Sequence, residues 1–190
     1  MKEILLAHLG NLVNHVNEFN HQAITFNTQQ LPPINNFSTD IRQEAAFKNM
    51  FELLNTKKGY CIYWFECETP EIAFELVNTF TGKLRYLASA ERTVPPVNGN
   101  SNSKVLYVGV RQGGFRQKDG LTHISGRMIQ HLGYYKKGST GAIQLVHWVD
   151  NSKPIQLTLN VIELDLQEKE YLYIIEKLFA ISLKPLLGKH

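Results

Sequence analysis

Residues 59–67, with the sequence GYCIYWFEC, carry apolar and aromatic side chains at odd and even positions alike. In an extended chain, successive side chains point to opposite faces, so both faces of this segment are apolar. A strand of that kind has to be covered on both sides. The segment therefore predicts the central strand of a sheet flanked by helices.

Helical patterns lie on both sides of this strand. Leucine, valine and phenylalanine residues spaced by 4, 3, 4 and 3 predict an amphipathic helix over residues 2–22, which docks on the protein's own core or forms a helix–helix dimer seam. Capping signals predict further helices from Asp40, from Pro70 to about Phe80 behind Thr69, over residues 121–133, and over residues 168–183.

Three more strands complete the predicted fold. Residues 104–111 form one, and residues 142–149 and 155–164 form a pair joined by a polar turn. The fold class is α/β of the α+β kind, with a small mixed, mostly antiparallel sheet flanked by helices. Residues 1–56 are predicted as an N-terminal helical extension, and residues 57–190 as the main domain with an insert at about 68–104.

The strand KVLYVGVR at 104–111 raises a question about its outer face. Alternation directs Leu106, Val108 and Val110 into the core, and places Tyr107, Gly109 and Arg111 together on the other side at the surface. A glycine in a strand often marks the close approach of a ligand or another backbone. We expect something to fit between the phenol and the guanidinium, although an ordinary half-exposed strand also explains the pattern.

Charge is unevenly distributed along the chain. Residues 104–139 contain seven basic residues and one acidic residue, a net charge of +6, whereas the whole chain carries +3. Such a basic middle is typical of a protein that binds a phosphate backbone, although a solvated, loop-rich surface also accounts for it. The candidate DNA-binding residues are Lys104, Arg111, Arg116, Lys118, Lys136 and Lys137.

Composition excludes several classes of protein. No apolar run approaches the roughly 20 residues that span a bilayer, and no signal peptide is evident, so we expect a soluble, cytoplasmic protein. Cys61 and Cys67 lie six positions apart in one strand, about 20 Å, which is too far for a disulfide. Both are expected in the core.

The order of several motifs resembles the GIY-YIG nuclease superfamily. The sequence CIY at 61–63 is followed by YVG at 107–109, then by an Arg127 and His131 pair on a helix, and finally by Glu176 on a late helix before KPLLG. The resemblance covers residues 59–190, and KVLYVGV is its most specific part. Cys61 stands where the family usually has glycine.

The resemblance implies a role for each of these residues. Tyr63 and Tyr107 lie side by side at the sheet surface, and one of them helps to activate the attacking water. Arg127 holds the scissile phosphate, His131 assists proton movement, and Glu176 binds one divalent metal, Mg²⁺ or Mn²⁺. Phosphodiester hydrolysis needs a nucleophilic water, positive charge at the phosphate and neutralisation of the leaving oxygen, and these residue types can supply all three.

Helical spacing fits this set, although each residue taken singly has an ordinary alternative. Arg127 and His131 are four residues apart at the border of an apolar face, where they can reach a groove, and Glu176 lies at the margin of another such face. Taken alone, Tyr63 is explained as a core tyrosine, and Arg127 and Glu176 are explained as surface or ion-paired residues. His131 taken alone is explained as a residue at a helix end.

Two features depart from the family. Gly188 stands where the family usually carries an asparagine that could tie the terminal segment to the active site. The connection between Tyr63 and Tyr107 is also longer than usual, with a helix and an exposed loop at 93–104. We expect this insert to lie against DNA through four basic residues: Lys83, Arg85, Arg92 and Lys104.

The resemblance implies a divalent-metal-dependent DNA endonuclease, similar to the restriction-enzyme branch, whose members often act as dimers. The N-terminal stripe could form the dimer seam. The alternative is a nucleic-acid-binding protein on the same fold that has lost catalysis, for which Gly188 and Cys61 argue. In either case we expect the two phenols, the guanidinium and the carboxylate to converge on one hollow of the size of a phosphate.

Overall fold

The computed structural model describes residues 21–34, 39–135, 140–165 and 169–189. Its centre is a four-stranded antiparallel sheet formed by β1 (Gln22–Asn27), β2 (Tyr60–Cys67), β3 (Val105–Arg111) and β6 (Gln156–Leu164). The strands lie in the order β1-β6-β2-β3. A separate two-stranded hairpin is formed by β4 (Phe115–Arg116) and β5 (Leu121–Thr122).

Helices cover both faces of the sheet. The helices α1 (Ala45–Leu54), α2 (Pro70–Ser89) and α3 (His123–Leu132) pack on one face in the larger core, and α4 (Glu170–Leu183) packs on the other face in a smaller core. Strand β2 contributes to both cores, with Tyr63 and Phe65 on one side and Ile62 and Trp64 on the other. This confirms the α+β fold class and the central strand.

Several element predictions are confirmed. Thr69 caps α2 through its side chain, although the helix continues nine residues beyond Phe80, to Ser89. Gly133 ends α3 in the left-handed conformation, with φ of 101°. Asp40 caps a short 3₁₀ turn over Ile41–Gln43, and α1 begins only at Ala45.

Other predictions are wrong. Residues 142–149 do not pair with β6, because they form a buried irregular segment with a 3₁₀ turn at Leu145–His147 that starts from the left-handed residue Gln144. Strand β6 instead pairs with β1 and β2. Strand β1 was not predicted, and Gln22, the last residue of the predicted N-terminal helix, begins it. Residues 2–20 of that helix lie outside the described residues.

The predicted boundary at residue 56 does not separate two cores. Phe26 on β1 and Phe47 on α1 contact each other, with ring centroids 5.6 Å apart, and belong to the same core as Tyr63. Cys61 and Cys67 are buried and unpaired by disulfide, as expected, and burial raises the pKa of each thiol to about 12. Within the described ranges, no helix has the length and hydropathy needed to cross a membrane.

Candidate active site

A groove of about 530 Å³ opens at the β3 edge of the sheet. It lies where α3, from one face, and α4, from the other, approach the same edge strand. Tyr107 of β3, Arg127 of α3 and Glu176 of α4 all line it. The remaining lining residues are Thr93, Val94, Pro95, Pro96, Thr140, Gly141, Gly188 and Lys189.

Tyr63 and Tyr107 lie side by side, but in the interior rather than at the surface. Their rings stack at an interplanar angle of 24° with centroids 6.3 Å apart. Tyr63 is fully buried and Tyr107 is 9% exposed, and only Tyr107 lines the groove. The prediction of an outward face is therefore wrong for Tyr107, because α3 covers that side of the sheet.

The occupant expected beside Gly109 is the protein itself. Gly109 is paired with Tyr63 across β2 and β3, and a Cβ placed on Gly109 would lie 2.6 Å from Tyr63 Oη and 2.8 Å from Tyr107 Cε1. A glycine is needed here because the Tyr63 phenol lies over its Cα. The residue serves the packing of the two phenols, not a ligand between Tyr107 and Arg111.

Arg127 is held in a defined orientation by four hydrogen bonds. Its Nε donates to Tyr63 Oη at 3.1 Å, and its Nη2 donates to Tyr107 Oη at 3.4 Å. Its Nη1 donates to Gln130 Oε1 and to the carbonyl oxygen of Thr140, both at 3.0 Å. The guanidinium is half-buried and lines the groove, so its charge is fixed beside the groove rather than on a mobile side chain.

His131 lies behind the two phenols and not in the groove. The ring is fully buried, and its Nε2 lies 2.9 Å from Tyr63 Oη. The backbone N–H of Ile143 donates to His131 Nδ1 at 3.3 Å, so Nε2 carries the proton and donates to Tyr63. Burial and the Arg127 charge lower the pKa of His131 well below its usual value. A neutral imidazole therefore supports Tyr63, and the expectation that His131 reaches a groove is wrong.

Glu176 is the carboxylate among the described residues that line the groove. It is half-buried on α4, and burial raises its pKa, while the charges of Lys177 and Arg127 act in the opposite direction. Nowhere in the described ranges do three or more His, Cys, Asp or Glu side chains form a group that could hold a metal ion. A cation here would therefore be held by one carboxylate, water and a ligand oxygen.

The chain beyond α4 forms one wall of the groove. The amides of Leu186 and Leu187 donate to the carbonyls of Val105 and Leu106, so this segment runs along the β3 edge. The Gly188 amide donates to the carbonyl of Pro96 at 2.9 Å, and Gly188 has φ of 130°. Gly188 thus lies at the groove, where the resemblance places the family's asparagine.

Two asparagines of the 93–104 loop hold this wall. The side-chain amides of Asn98 and Asn100 both donate to the carbonyl oxygen of Pro185, at 3.0 and 2.7 Å. The backbone N–H of Asn98 also donates to the carbonyl oxygen of Leu186 at 2.8 Å. Most residues of the loop are exposed, as predicted, and the loop also ties the terminal segment to the groove. No local motif marks these asparagines, since their partners lie 85 and 87 residues away.

The predicted DNA-binding residues separate into groups. Arg116 lies against α3, with its Nη2 3.4 Å from a Cβ placed on Gly126, and the charges of Arg127 and Arg116 both act on Arg111. Neither Arg111 nor Arg116 lines the groove itself. Lys118 is exposed in the β4–β5 turn. Lys104 forms an ion pair with Glu66 at 3.3 Å, at the opposite end of β3. Lys136 and Lys137 lie outside the described residues.

Arg92 has a structural place, contrary to the expectation that it contacts DNA. It is 7% exposed, and its Nη1 donates to Gln144 Oε1 at 2.9 Å. Its Nη2 donates to the carbonyl of Tyr135, and the guanidinium stacks over that ring at 5.4 Å. Gln144 in turn donates to the carbonyl of Thr93. Arg92 therefore secures one groove wall from the interior.

The other insert residues, Lys83 and Arg85, are exposed on α2.

Comparisons with protein-family models, with curated proteins and with solved structures gave no match. The chemical character of the groove follows from its own side chains. A planar cation, a phenol hydroxyl and a carboxylate face one solvent-open space of about 530 Å³. Such a set can bind an anionic ester on the arginine and a divalent cation on the carboxylate.

Proposed function

We propose that this chain is a divalent-metal-dependent endonuclease that hydrolyses phosphodiester bonds in DNA. The observation that carries the proposal is the convergence of Tyr107, Arg127 and Glu176 on one groove from a strand and two helices that lie far apart in the sequence. The order of the motifs, which resembles the GIY-YIG nucleases, led to the same three residues.

Arg127 binds the scissile phosphate in this proposal. A guanidinium stays charged at any physiological pH. Four of the five N–H groups of Arg127 donate to described protein groups, so the remaining N–H on Nη2 is the one that can donate to a phosphate oxygen. Because four hydrogen bonds already orient it, little reorganisation is needed as negative charge develops on the phosphoryl oxygens. Tyr63 and His131 act through Arg127 and are positioning residues.

Glu176 would hold the divalent metal, Mg²⁺ or Mn²⁺. Mg²⁺ keeps several waters and commonly takes only one or two carboxylates together with substrate phosphate, so a single half-buried glutamate beside a phosphate-binding arginine fits it. When bound, the ion supplies positive charge at the phosphate and lowers the pKa of water. The Arg127 charge acts on Glu176 and favours its ionised form.

Tyr107 is the phenol placed to touch the attacking water. Its side chain lines the groove, whereas Tyr63 is fully buried behind it. The resemblance leaves open which tyrosine activates the water, and accessibility favours Tyr107. The Tyr107 hydroxyl accepts a hydrogen bond from Arg127, and this contact supports a role for Tyr107 beside the phosphate that Arg127 would bind.

A plasmid-nicking assay tests the proposal. The wild type should convert supercoiled plasmid to the nicked form with Mg²⁺ or Mn²⁺ and not with EDTA, and Glu176→Ala should abolish this conversion. Glu170→Ala is the matched control, because Glu170 is exposed in the first turn of the same helix. DNA binding by the wild type without any nicking would contradict the proposal and support the alternative, a nucleic-acid-binding protein that has lost catalysis.

A restriction-type enzyme acting as a homodimer is the finer form of the proposal. One groove per chain cuts one strand at a time, so cleavage of both strands in a single binding event requires two copies on the same duplex. Linear product formed directly from supercoiled plasmid, with a rate that depends on the square of protein concentration, would support the dimer. Accumulation of nicked circles at every protein concentration would contradict it.

A further inference from the structure

The hairpin between β3 and α3 is a separate small element that lies against α3, the helix that carries Arg127. Phe115 pairs with Thr122 and Arg116 pairs with Leu121. The turn is closed by amides of Asp119 and Gly120, which donate to the carbonyls of Arg116 and Gln117 at 3.2 and 3.3 Å.

The base of this hairpin is fixed to the rest of the domain. The Gly114 amide donates to the carbonyl of Lys58 at 2.8 Å, and the His123 amide donates to the carbonyl of Gly114 at 2.9 Å. The Thr122 hydroxyl donates to the carbonyl of Leu54, and Arg42 donates to the carbonyl of Asp119. Side chains on the hairpin are therefore presented by a rigid support, as a recognition element requires.

The outer strand of the hairpin exposes an aromatic ring among polar side chains. Phe115 is 46% exposed, and its neighbours Gln112, Arg116, Gln117 and Lys118 are also exposed. Other large apolar side chains are exposed on this protein as well, so exposure alone does not single out Phe115. Its distinguishing feature is its position on a fixed hairpin beside the exposed cations Arg116 and Lys118. Polar hydrogen-bond donors on both sides of the ring indicate a partner that is itself polar.

The charges of the hairpin continue those of the groove. The Arg116 guanidinium packs against α3 at Gly126, the residue before Arg127. The charges of Arg116 and Arg127 both act on Arg111. Arg116 forms an ion pair with Asp119 at 2.7 Å, but the two side chains are 51% and 39% exposed. An exposed pair of this kind contributes little, so a phosphate can replace Asp119.

We infer that the hairpin of residues 112–122 enters a groove of duplex DNA beside the cleaved phosphate, where Phe115 contacts the bases while Arg116 and Lys118 bind the flanking phosphates. The inference rests on the proposed DNA substrate and identifies its recognition element. A two-stranded ribbon fits a DNA groove, and exposed phenylalanines serve as apolar contacts or wedges between base steps. Duplex DNA is the partner because Phe115 is next to Arg116, which lies close to Arg127 on α3 and acts together with it on Arg111.

Binding measured without catalysis tests the inference. Fluorescence anisotropy with a labelled duplex DNA of random sequence, in EDTA, should show Phe115→Ala binding about tenfold more weakly with an unchanged salt dependence. Lys118→Ala should reduce the slope of log K against log salt by about 1. Phe74→Ala, at a 58% exposed phenylalanine on α2, and Lys153→Ala, at an exposed lysine, are matched controls and should bind like the wild type.

A second variant separates base contact from folding. Phe115→Trp keeps a flat apolar ring and should restore affinity, and thermal melting should show Phe115→Ala folded. Affinity of Phe115→Ala equal to that of Phe74→Ala would overturn the inference, as would equal affinity of the wild type for a duplex RNA of the same sequence. If the wild type binds through the hairpin but never nicks plasmid, the nuclease proposal fails and the inference stands. If plasmid is nicked at the same positions and rate by Phe115→Ala, the inference fails alone.

Discussion

Gly109 lies opposite Tyr63 in the antiparallel pair of β2 and β3, and the Tyr63 phenol covers the position where any other residue would carry its Cβ. Tyr63 is fully buried and stacks on Tyr107, so the Tyr63 ring is enclosed by protein atoms on all sides. This relationship fixes the geometry of the phenol pair and, through it, the orientation of Arg127.

Gly109→Ala should therefore destabilise the protein and impair the groove. Overpacking of a buried site costs about 1–3 kcal/mol, and the displaced Tyr63 would no longer align with Arg127 Nε. Urea unfolding and plasmid nicking measure the two effects. Gly82→Ala is the control, because no atom lies within 4 Å of its Cβ position in α2, and it should stabilise the helix by about 0.5–1 kcal/mol. Similar unfolding curves for the two variants would contradict the prediction.

Phenylalanine substitutions should separate the roles of the two tyrosines. Tyr63→Phe removes the acceptor of Arg127 Nε and His131 Nε2 inside the core, which should cost about 1–3 kcal/mol of stability. Tyr107→Phe alters a groove-lining hydroxyl, so it should reduce nicking by about 10²-fold or more with a smaller loss of stability. Full nicking activity of Tyr107→Phe would contradict the assignment of the water-activating phenol.

The stability of the metal-free protein should depend on the ionisation of Glu176. Because burial raises its pKa in the folded state, ionisation of Glu176 disfavours folding. This cost is absent below the unfolded pKa of about 4.3 and appears as pH rises through the higher folded pKa. In EDTA, Glu176→Gln should therefore melt at a higher temperature than the wild type near neutral pH, and the difference should vanish in acid. Glu170→Gln should show no such trend.

Metal addition should reverse that order. A cation that binds only the folded wild type adds about 2.7 kcal/mol of stability when its concentration is 100 times Kd, and Glu176→Gln should gain far less. Thermal melting in increasing Mg²⁺ or Mn²⁺ measures this directly. Equal stabilisation of both proteins would place the cation elsewhere.

Asn98 and Asn100 should act together on the terminal wall. Their joint replacement by alanine removes two hydrogen bonds to Pro185 and should cost about 1–3 kcal/mol. Amide exchange at Leu187 and Gly188 should become faster, because these amides depend on the same segment. Asn78→Ala, at an exposed position on α2, should leave this exchange unchanged.

Much of the fold could be predicted from local patterns. The two-sided apolar segment at 60–67 is the central strand, and Thr69, Asp40 and Gly133 act as caps where their chemistry indicates. Local patterns gave the wrong secondary structure where contacts between distant parts of the chain determine the conformation. Residues 142–149 are apolar enough for a strand, but Trp148 Nε1 donates to the carbonyl of Ile143 at 2.6 Å and the Gln144 side chain bonds with Arg92, which keeps the segment irregular.

Of the five side chains predicted for the site, Tyr107, Arg127 and Glu176 line one groove, whereas Tyr63 and His131 are buried behind it. Alternation along β3 correctly separates Tyr107 from Val108, yet it cannot tell that α3 covers the side on which Tyr107 lies. The same limit applies to Arg92, whose buried partners are up to 52 residues away. Charge in the sequence indicated a phosphate-binding surface, but only the tertiary structure separates Arg111 and Arg116 from Arg92.

The walls of the groove come from positions that range from Thr93 to Lys189. During translation, β3 would emerge from the ribosome with Tyr107 in place long before the stretch around Gly188 could lie along its edge. A chain of which only the part before residue 185 has emerged therefore lacks one wall of this groove.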